Sequence, residues 1–195
     1  TFYFFAGVQP AVVEVSSDGQ YAFVACDGAD AVVVINLTDL TIVNDIFNFP
    51  IQLLTFSWVS TGGRSSFKFS RFEVSADGNH LIVGNADNDV MFYNTSTGDI
   101  DYSIPGIPNC KVVGLSGDGT KTIALSDFEN VFKAYQIDNA THTITGTVEL
   151  TGNYLATFEV AVNLDGSKAF IGIGNNSSAI VRFETSDFIT FTQTY

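Results

Sequence analysis

Charge is what this sequence has least of. Of its 195 residues only 15% are Asp, Glu, Lys or Arg, against about a quarter in ordinary soluble domains. Basic residues are the scarcest of these: 8 Lys and Arg face 21 Asp and Glu, a net charge of −13. No basic cluster offsets that field locally, so it repels phosphate backbones and anionic lipid surfaces and excludes nucleic acid as an expected partner. Long apolar runs are missing too. The longest, such as Ile51 to Val59, fall far short of the roughly 18 residues that a membrane helix needs. With 2 Cys in the whole chain, a disulfide framework is excluded. Glycine-rich phosphate loops, nucleophile elbows and zinc-ligand spacings are all absent, and almost no stretch carries a helical period.

What is present is apolar and hydroxyl-rich. Hydrophobic residues make up 46% and aromatics 13%, which excludes a disordered chain. A chain of this length buries roughly two-thirds of its unfolded surface. Thr, Ser, Asn and Gly fill the polar positions, leaving a surface that is neutral rather than ionic. Proteins kept soluble by interspersed charge look different, so the expected covering is glycans or neighbouring subunits. The text starts at Thr1 rather than Met, and is expected to be a processed protein or a piece of a longer one.

One pattern recurs four times: an alternating apolar run, a turn holding Asp-Gly, a second apolar run, a polar turn and a third run. The turns are Ser16-Ser17-Asp18-Gly19, Ser75-Ala76-Asp77-Gly78, Ser116-Gly117-Asp118-Gly119 and Asn163-Leu164-Asp165-Gly166. Asp-Gly between alternating runs signals a hairpin, because Gly takes positive φ and Asp bonds its own turn. Second strands are expected at Tyr21 to Cys26, Leu81 to Gly84, Thr122 to Leu125 and Ala169 to Ile173. Third strands follow at Ala31 to Ile35, Val90 to Tyr93, Val131 to Ile137 and Ala179 to Phe183, with looser fourth strands such as Thr41 to Phe47 and Thr143 to Leu150. Four-stranded units of this size cannot bury both faces alone and pack radially as blades. The chain therefore reads as an all-β, four-bladed antiparallel β-propeller, with blades near 8–49, 65–105, 109–150 and 154–195 plus 1–5.

The Ser-x-Asp-Gly turns followed by apolar strands and a Val-x-Val-x-Asn strand resemble YVTN-type and WD-like β-propeller repeats. That resemblance covers nearly the whole chain and implies frequent occurrence in secreted, surface-layer-like proteins. The fourth copy departs from it, with Asn163 in place of Ser, and a local difference is expected in that hairpin.

Five sequons stand out: Asn36, Asn94 and Asn139, each just past a third strand, and the overlapping Asn175 and Asn176. N-linked glycosylation is expected at them, the competing reading being plain turn chemistry. Cys26 and Cys110 fall in the first and third blades. Two buried, inert thiols are preferred over a disulfide across the ring. His80 and His142 read as surface or turn residues. Glu14 and Glu73 hold equivalent positions and could in principle do glycosidic acid/base chemistry, but Gly114 and Ala161 match them in the other blades. Asn85, Asp87 and Asp89 alternate like calcium-loop oxygens, yet the run is far shorter than an EF-hand loop. No catalytic residue, metal or cofactor is assigned.

The spacings between the four turn aspartates are 59, 41 and 47 residues. The excess in the first holds Ile51, Leu53, Leu54, Phe56 and Trp58, an apolar excursion expected either to form an interface or to cover its own blade end. Joining Tyr195 to Thr1 gives a spacing of 48 from Asp165 round to Asp18. Thr1, Phe2, Tyr3, Phe4 and Tyr195 then read as parts of one interrupted strand. That strand closes either within one chain or between copies of it, and the second is preferred. The functional expectation is an extracellular, cell-surface structural glycoprotein, the repeat unit of a fibre or coat, with copies of itself and N-linked glycans as partners. A carbohydrate- or protein-binding propeller is the alternative, and a propeller hydrolase or lactonase the third reading.

Overall fold

The structure is a computed structural model and describes residues 10–26, 31–47, 72–84, 89–129, 131–150, 156–174, 179–184 and 191–194. All the regular structure among these residues is β. Val, Ile, Phe and Thr dominate the runs, and alternate residues can be buried on opposite faces of a pleated sheet.

Sixteen strands form four antiparallel sheets, each in simple chain order. Blade I holds β1 (Pro10–Val15), β2 (Tyr21–Cys26), β3 (Ala31–Asn36) and β4 (Thr41–Phe47). Blade II holds β5 (Phe72–Val74), β6 (His80–Gly84), β7 (Asp89–Asn94) and β8 (Ile100–Pro105). Blade III holds β9 (Cys110–Leu115), β10 (Lys121–Phe128), β11 (Val131–Asp138) and β12 (Thr143–Leu150). Blade IV holds β13 (Ala156–Val162), β14 (Lys168–Gly174), β15 (Ala179–Glu184) and β16 (Phe191–Thr194). The expected second and third strands are all present, to within one residue at their ends except for β10, which runs three residues past the expected Leu125. β16 supplies the fourth strand of blade IV; residues 1–5, expected to complete it, lie outside the described residues.

The registers carry matching irregularities. Between third and fourth strands the pairing shifts at Val34/Ile35, Phe92/Tyr93 and Gln136/Ile137 in blades I to III. A bulge at each outer pair raises the local twist, which suits blades that splay from a common centre. The first strands are innermost: β1 packs on β5, β5 and β6 on β9, and β9 and β10 on β13. Among the described residues no comparable packing returns β13 to β1. Among the described residues the four blades pack in series.

Both faces of a blade are apolar. Phe23, Ala25, Val32 and Val34 of blade I meet Phe72, Leu81, Val83 and Tyr93 of blade II. The opposite face of blade II, with Ile82, Val90, Phe92 and Ile104, meets Val113, Ala124, Tyr135 and Ile137 of blade III. Blade III turns Val112, Ile123, Leu125 and Phe132 onto Val160, Ala169 and Ile171 of blade IV. The core is therefore a stack of interfaces between sheets rather than one central cluster. Blade I has a further cluster on its far face, formed by Ala22, Cys26, Val33 and Ile35.

Each Asp-Gly turn places its glycine at φ between 67° and 72°, where a side chain costs about 1–2 kcal/mol. At Gly19 a Cβ would meet nothing, whereas at Gly119 it would lie 2.9 Å from the Ala76 Cβ of the preceding blade. Gly19→Ala is expected to lower stability by about 1–2 kcal/mol from backbone strain alone. Gly119→Ala should cost measurably more, and chemical denaturation of the two variants compares them. Equal losses would show that the turns do not press on one another.

Candidate functional site

The most repeated polar arrangement is the row of first-to-second-strand turns. In blade I the Ser16 hydroxyl donates to Asp18 Oδ1 at 2.6 Å and accepts the Tyr21 N–H at 3.0 Å. The same Asp18 oxygen accepts the Gln20 N–H at 2.9 Å, and Gly19 N–H closes the turn on the Ser16 carbonyl at 2.8 Å. Ser75 and Asp77 repeat these bonds in blade II, and Ser116 and Asp118 in blade III.

Blade IV corrects the expectation of a different hairpin. Asn163 Nδ2 donates to Asp165 Oδ1 at 2.8 Å, while its Oδ1 accepts the Lys168 N–H at 2.8 Å. The amide splits between two atoms the donor and acceptor roles that a serine hydroxyl combines in one. Gly166 keeps φ 67°, so the turn is conserved in form across all four blades.

Neighbouring turns touch. Ser17 Oγ donates to the Ala76 carbonyl, and Asp118 N–H donates to the Leu164 carbonyl at 2.8 Å. Four carboxylates thus line one rim, and all four are held below the ordinary aspartate range. Hydrogen bonds do this: from Ser16 and the Gln20 N–H at Asp18, from the Thr120 N–H and Ser116 at Asp118, and from Ser167 at Asp165. At Asp77 burial pushes the other way, but the bonds from Ser75 and Asn79 outweigh it.

A second repeated turn joins the third and fourth strands, and the sequons sit there. Asn36 Oδ1 accepts the Thr38 N–H at 2.8 Å, and Asn94 Oδ1 accepts the Ser96 N–H at 2.9 Å. In blade III that role belongs to Asp138, whose Oδ1 accepts the N–H groups of Ala140 and Thr141 at 3.0 and 2.8 Å. These bonds and the Thr141 hydroxyl lower its pKa. Asn139 is therefore one position out of step with Asn36 and Asn94, contrary to the equal placement expected from spacing. Its Nδ2 donates to the Gly119 carbonyl and its Oδ1 accepts the Thr122 hydroxyl, both at 2.9 Å. Asn94 Nδ2 donates to Asp101 Oδ2 at 3.1 Å. Asn175 and Asn176 lie outside the described residues.

Both histidines, 62 residues apart in sequence, meet at the flank of blades II and III. His80 Nε2 lies 2.9 Å from Asp101 Oδ2. Tyr102 stacks on Phe92 at 4.3 Å and on His142 at 3.6 Å between ring centres. Burial and the charges of Asp101 and Asp77 push the Tyr102 hydroxyl up to about 12, so it stays protonated at neutral pH. His142 of blade III braces the interface by lying on Tyr102 and 6.4 Å from Phe92 between ring centres, while within blade II the His80 ring sits on Asp101 and 5.6 Å from Tyr102. Sequence reading kept these histidines apart because neither has a metal-ligand or triad spacing. Their turn registers, two residues after Gly78 and at the last turn position before β12, were the available signal.

Glu14 and Glu73 are half-buried on β1 and β5. At their blade III equivalent, Gly114, a Cβ would lie 2.7 Å from Val160 Cγ1 and 3.0 Å from its carbonyl oxygen, so close approach of the inner strands leaves no room for a carboxylate there. Cys26 and Cys110 are buried thiols in different clusters, and no disulfide joins them. Asn85 and Asp87 lie outside the described residues, as do Ile51, Leu53, Leu54, Phe56, Trp58, Thr1, Phe2, Tyr3, Phe4 and Tyr195. Among the described residues no three His, Cys, Asp or Glu side chains converge as a metal site.

No protein-family model and no curated protein matches the chain. Solved structures do, at low identity. Hydrazine synthase of Kuenenia stuttgartiensis superposes with TM-score 0.70 and 16% identity over 95% of this chain and 54% of its own. U3-55K gives 0.67 and 13% over 96% and 52%. The RRP9 WD40 repeats give 0.68 and 12% over 96% and 51%. The likeness is to WD40-type β-propellers and establishes the fold. The chain spans about half the length of the structures it matches.

The pinned turns make the fold acid-sensitive in a definite direction. Carboxylates with lowered folded pKa contribute stability above the unfolded value of about 3.9, and that stability is lost as pH falls through the lower folded values. Thermal melts should be flat from pH 7 to about 5 in this respect and drop steeply below about 4. Asn163→Ser should leave the melt nearly unchanged, whereas Asn163→Ala, which orphans the Lys168 N–H and one Asp165 bond, should cost about 1 kcal/mol. Equal behaviour of the two variants would refute the pin.

Proposed function

We propose that this chain is a structural module of an extracellular coat or fibre, glycosylated on the outer turns of its blades and packed against copies of itself. The observation that carries this reading is Asn36. It is the half-buried last residue of β3, leading into the outer turn that carries the exposed Thr38 and Asp39, with Oδ1 turned into the turn and no partner for Nδ2 among the described residues. That leaves the amide nitrogen on which a sugar would be carried. A sparsely charged, hydroxyl-rich surface supports the same reading, since sugars would supply the hydration that ionic groups do not. The finer resemblance to YVTN-type surface-layer repeats belongs to this proposal. The turn and interface chemistry described above uses its polar groups for structure, which favours a scaffold over an enzyme.

The binding-module reading keeps one observation of its own: exposed His142 stacked on Tyr102, a flat ring pair of the kind that contacts sugars and planar side chains. Saturable binding on a glycan array, lost in Tyr102→Ala, would favour it.

The modification test ranks the sites. Chain secreted from a eukaryotic host should carry sugar at Asn36, less at Asn94, and none at Asn139 in the folded fraction. A glycan on Asn139 would take one of the two Nδ2 hydrogens and add its bulk where this side chain pins its turn to Gly119 and Thr122. Intact mass before and after deglycosylation, with peptide mapping, reads this directly. An unmodified Asn36, or full occupancy at Asn139 in folded protein, overturns it.

A further inference from the structure

The Asp-Gly bond at each blade turn carries a reaction of its own. The glycine nitrogen can attack the aspartate Cγ: the N–Cγ bond forms, the Cγ–OH bond breaks and one water leaves, giving a five-membered succinimide. Water then adds back to one of the two ring carbonyls. Opening at the main-chain carbonyl leaves the glycine attached through Cγ, an isoaspartate. Glycine has no side chain to crowd the attack, and no reactant besides water is required.

Each turn restrains both reacting groups. The glycine N–H is committed to the carbonyl of the first turn residue, at 2.8 Å for Gly19, Gly78 and Gly119 and 3.1 Å for Gly166. Every aspartate accepts one bond from the side chain two residues before it and one from the N–H two residues after it. The turns differ in the side chain that follows. Asn79 Nδ2 donates to Asp77 Oδ2 at 2.9 Å, the Thr120 hydroxyl to Asp118 Oδ1 at 2.8 Å, and the Ser167 hydroxyl to Asp165 Oδ1 at 2.7 Å. Blade I has Gln20 at this position, and it gives Asp18 its N–H alone. All four carboxyls lie below the ordinary aspartate range. A carboxylate has no hydroxyl to lose, so this slows every turn and does not separate them. A fifth Asp-Gly pair, Asp27-Gly28, lies outside the described residues.

We infer that Asp18-Gly19 is the blade turn at which this fold ages, isomerising to isoaspartate ahead of its three counterparts because the third donor is missing. The consequence is local and mechanical. Isoaspartate lengthens the main chain by one carbon between β1 and β2, inside a hairpin closed by the Ser16 N–H on the Tyr21 carbonyl at 2.9 Å. Ser17, one residue earlier, carries the bond to the Ala76 carbonyl that ties this turn to blade II, so the altered turn loosens that junction as well. The inference rests on bonding within the turns and is independent of the proposed coat role and its glycans.

The test is to hold the folded chain at physiological temperature and mildly acidic pH for weeks, then map its peptides with isoaspartyl methyltransferase labelling. Asp18 should isomerise roughly fivefold faster than Asp77, Asp118 or Asp165, the factor that one hydrogen bond is worth. Gln20→Thr copies blade III and should bring Asp18 down to the rate of the others. Thr120→Val should raise Asp118 to the rate of Asp18 in the parent. Both substituted positions are exposed, so circular dichroism of the variants should match the parent. In guanidinium, where no turn survives, the four sites should react alike. Equal rates at the four turns of the folded chain overturn the inference, as does an Asp18 rate that Gln20→Thr leaves unmoved. A preference for Asp18 that persists in guanidinium also overturns it, since the cause would then lie in the neighbouring sequence and not in the turn.

Discussion

A sheet that is apolar on both faces cannot stand alone, and everything in this molecule follows from that. Each blade presents large side chains to the blade before it and the blade after it, so burial is completed only by stacking. Phe23, Ile82 and Ile123 are fully buried for one reason: a neighbour's inner strand lies on top of them. Removal of such a side chain would open a void between sheets, with the few-kcal/mol cost of any core truncation.

Stacking demands that blades repeat in shape, and the turn carboxylates supply the gauge. One aspartate oxygen collects a side-chain donor and a backbone N–H in each hairpin, which closes the turn between first and second strands with the same bonds four times. The turns then abut, and glycine at the left-handed position lets them approach without a Cβ between them. The polar cost of building blades is met locally, inside five or six residues, so the faces are left free to be apolar. This economy also suits the low charge: few ionic groups are required to hold the fold, and four of the carboxylates do so along one rim.

The histidine and tyrosine stack at the flank of blades II and III is a place where the repeat is individualised. His80, Asp101 and Asn94 come from one blade and His142 from the next, and their meeting makes that interface distinct from the other two. Tyr102 is shared between its own blade's Phe92 and the next blade's His142.

Much of this was legible in the sequence. The four turns, their strands and the blade count follow from Asp-Gly flanked by alternating apolar residues, because hairpin formation is decided by neighbours within a few positions. Local reasoning failed where a substitution kept the chemistry but changed the residue. Asn163 reads as a departure from Ser, yet its amide reproduces both serine bonds. It failed again at Asn139, where longer strands in blade III move the turn by one residue and hand the Asn36 role to Asp138. Spacing along a chain cannot register such a slip; the pairing of Asp138 with Lys121, where Asn36 pairs with Tyr21 and Asn94 with His80, does. That His80 and His142 both reach Tyr102 is decided by how blade III packs on blade II, and their turn registers were the only trace of it in the text. Local pattern determines which residues make a blade and which way each one points. Which faces end up covered depends on what stands next to them, and burial of that kind is a property of the assembled stack.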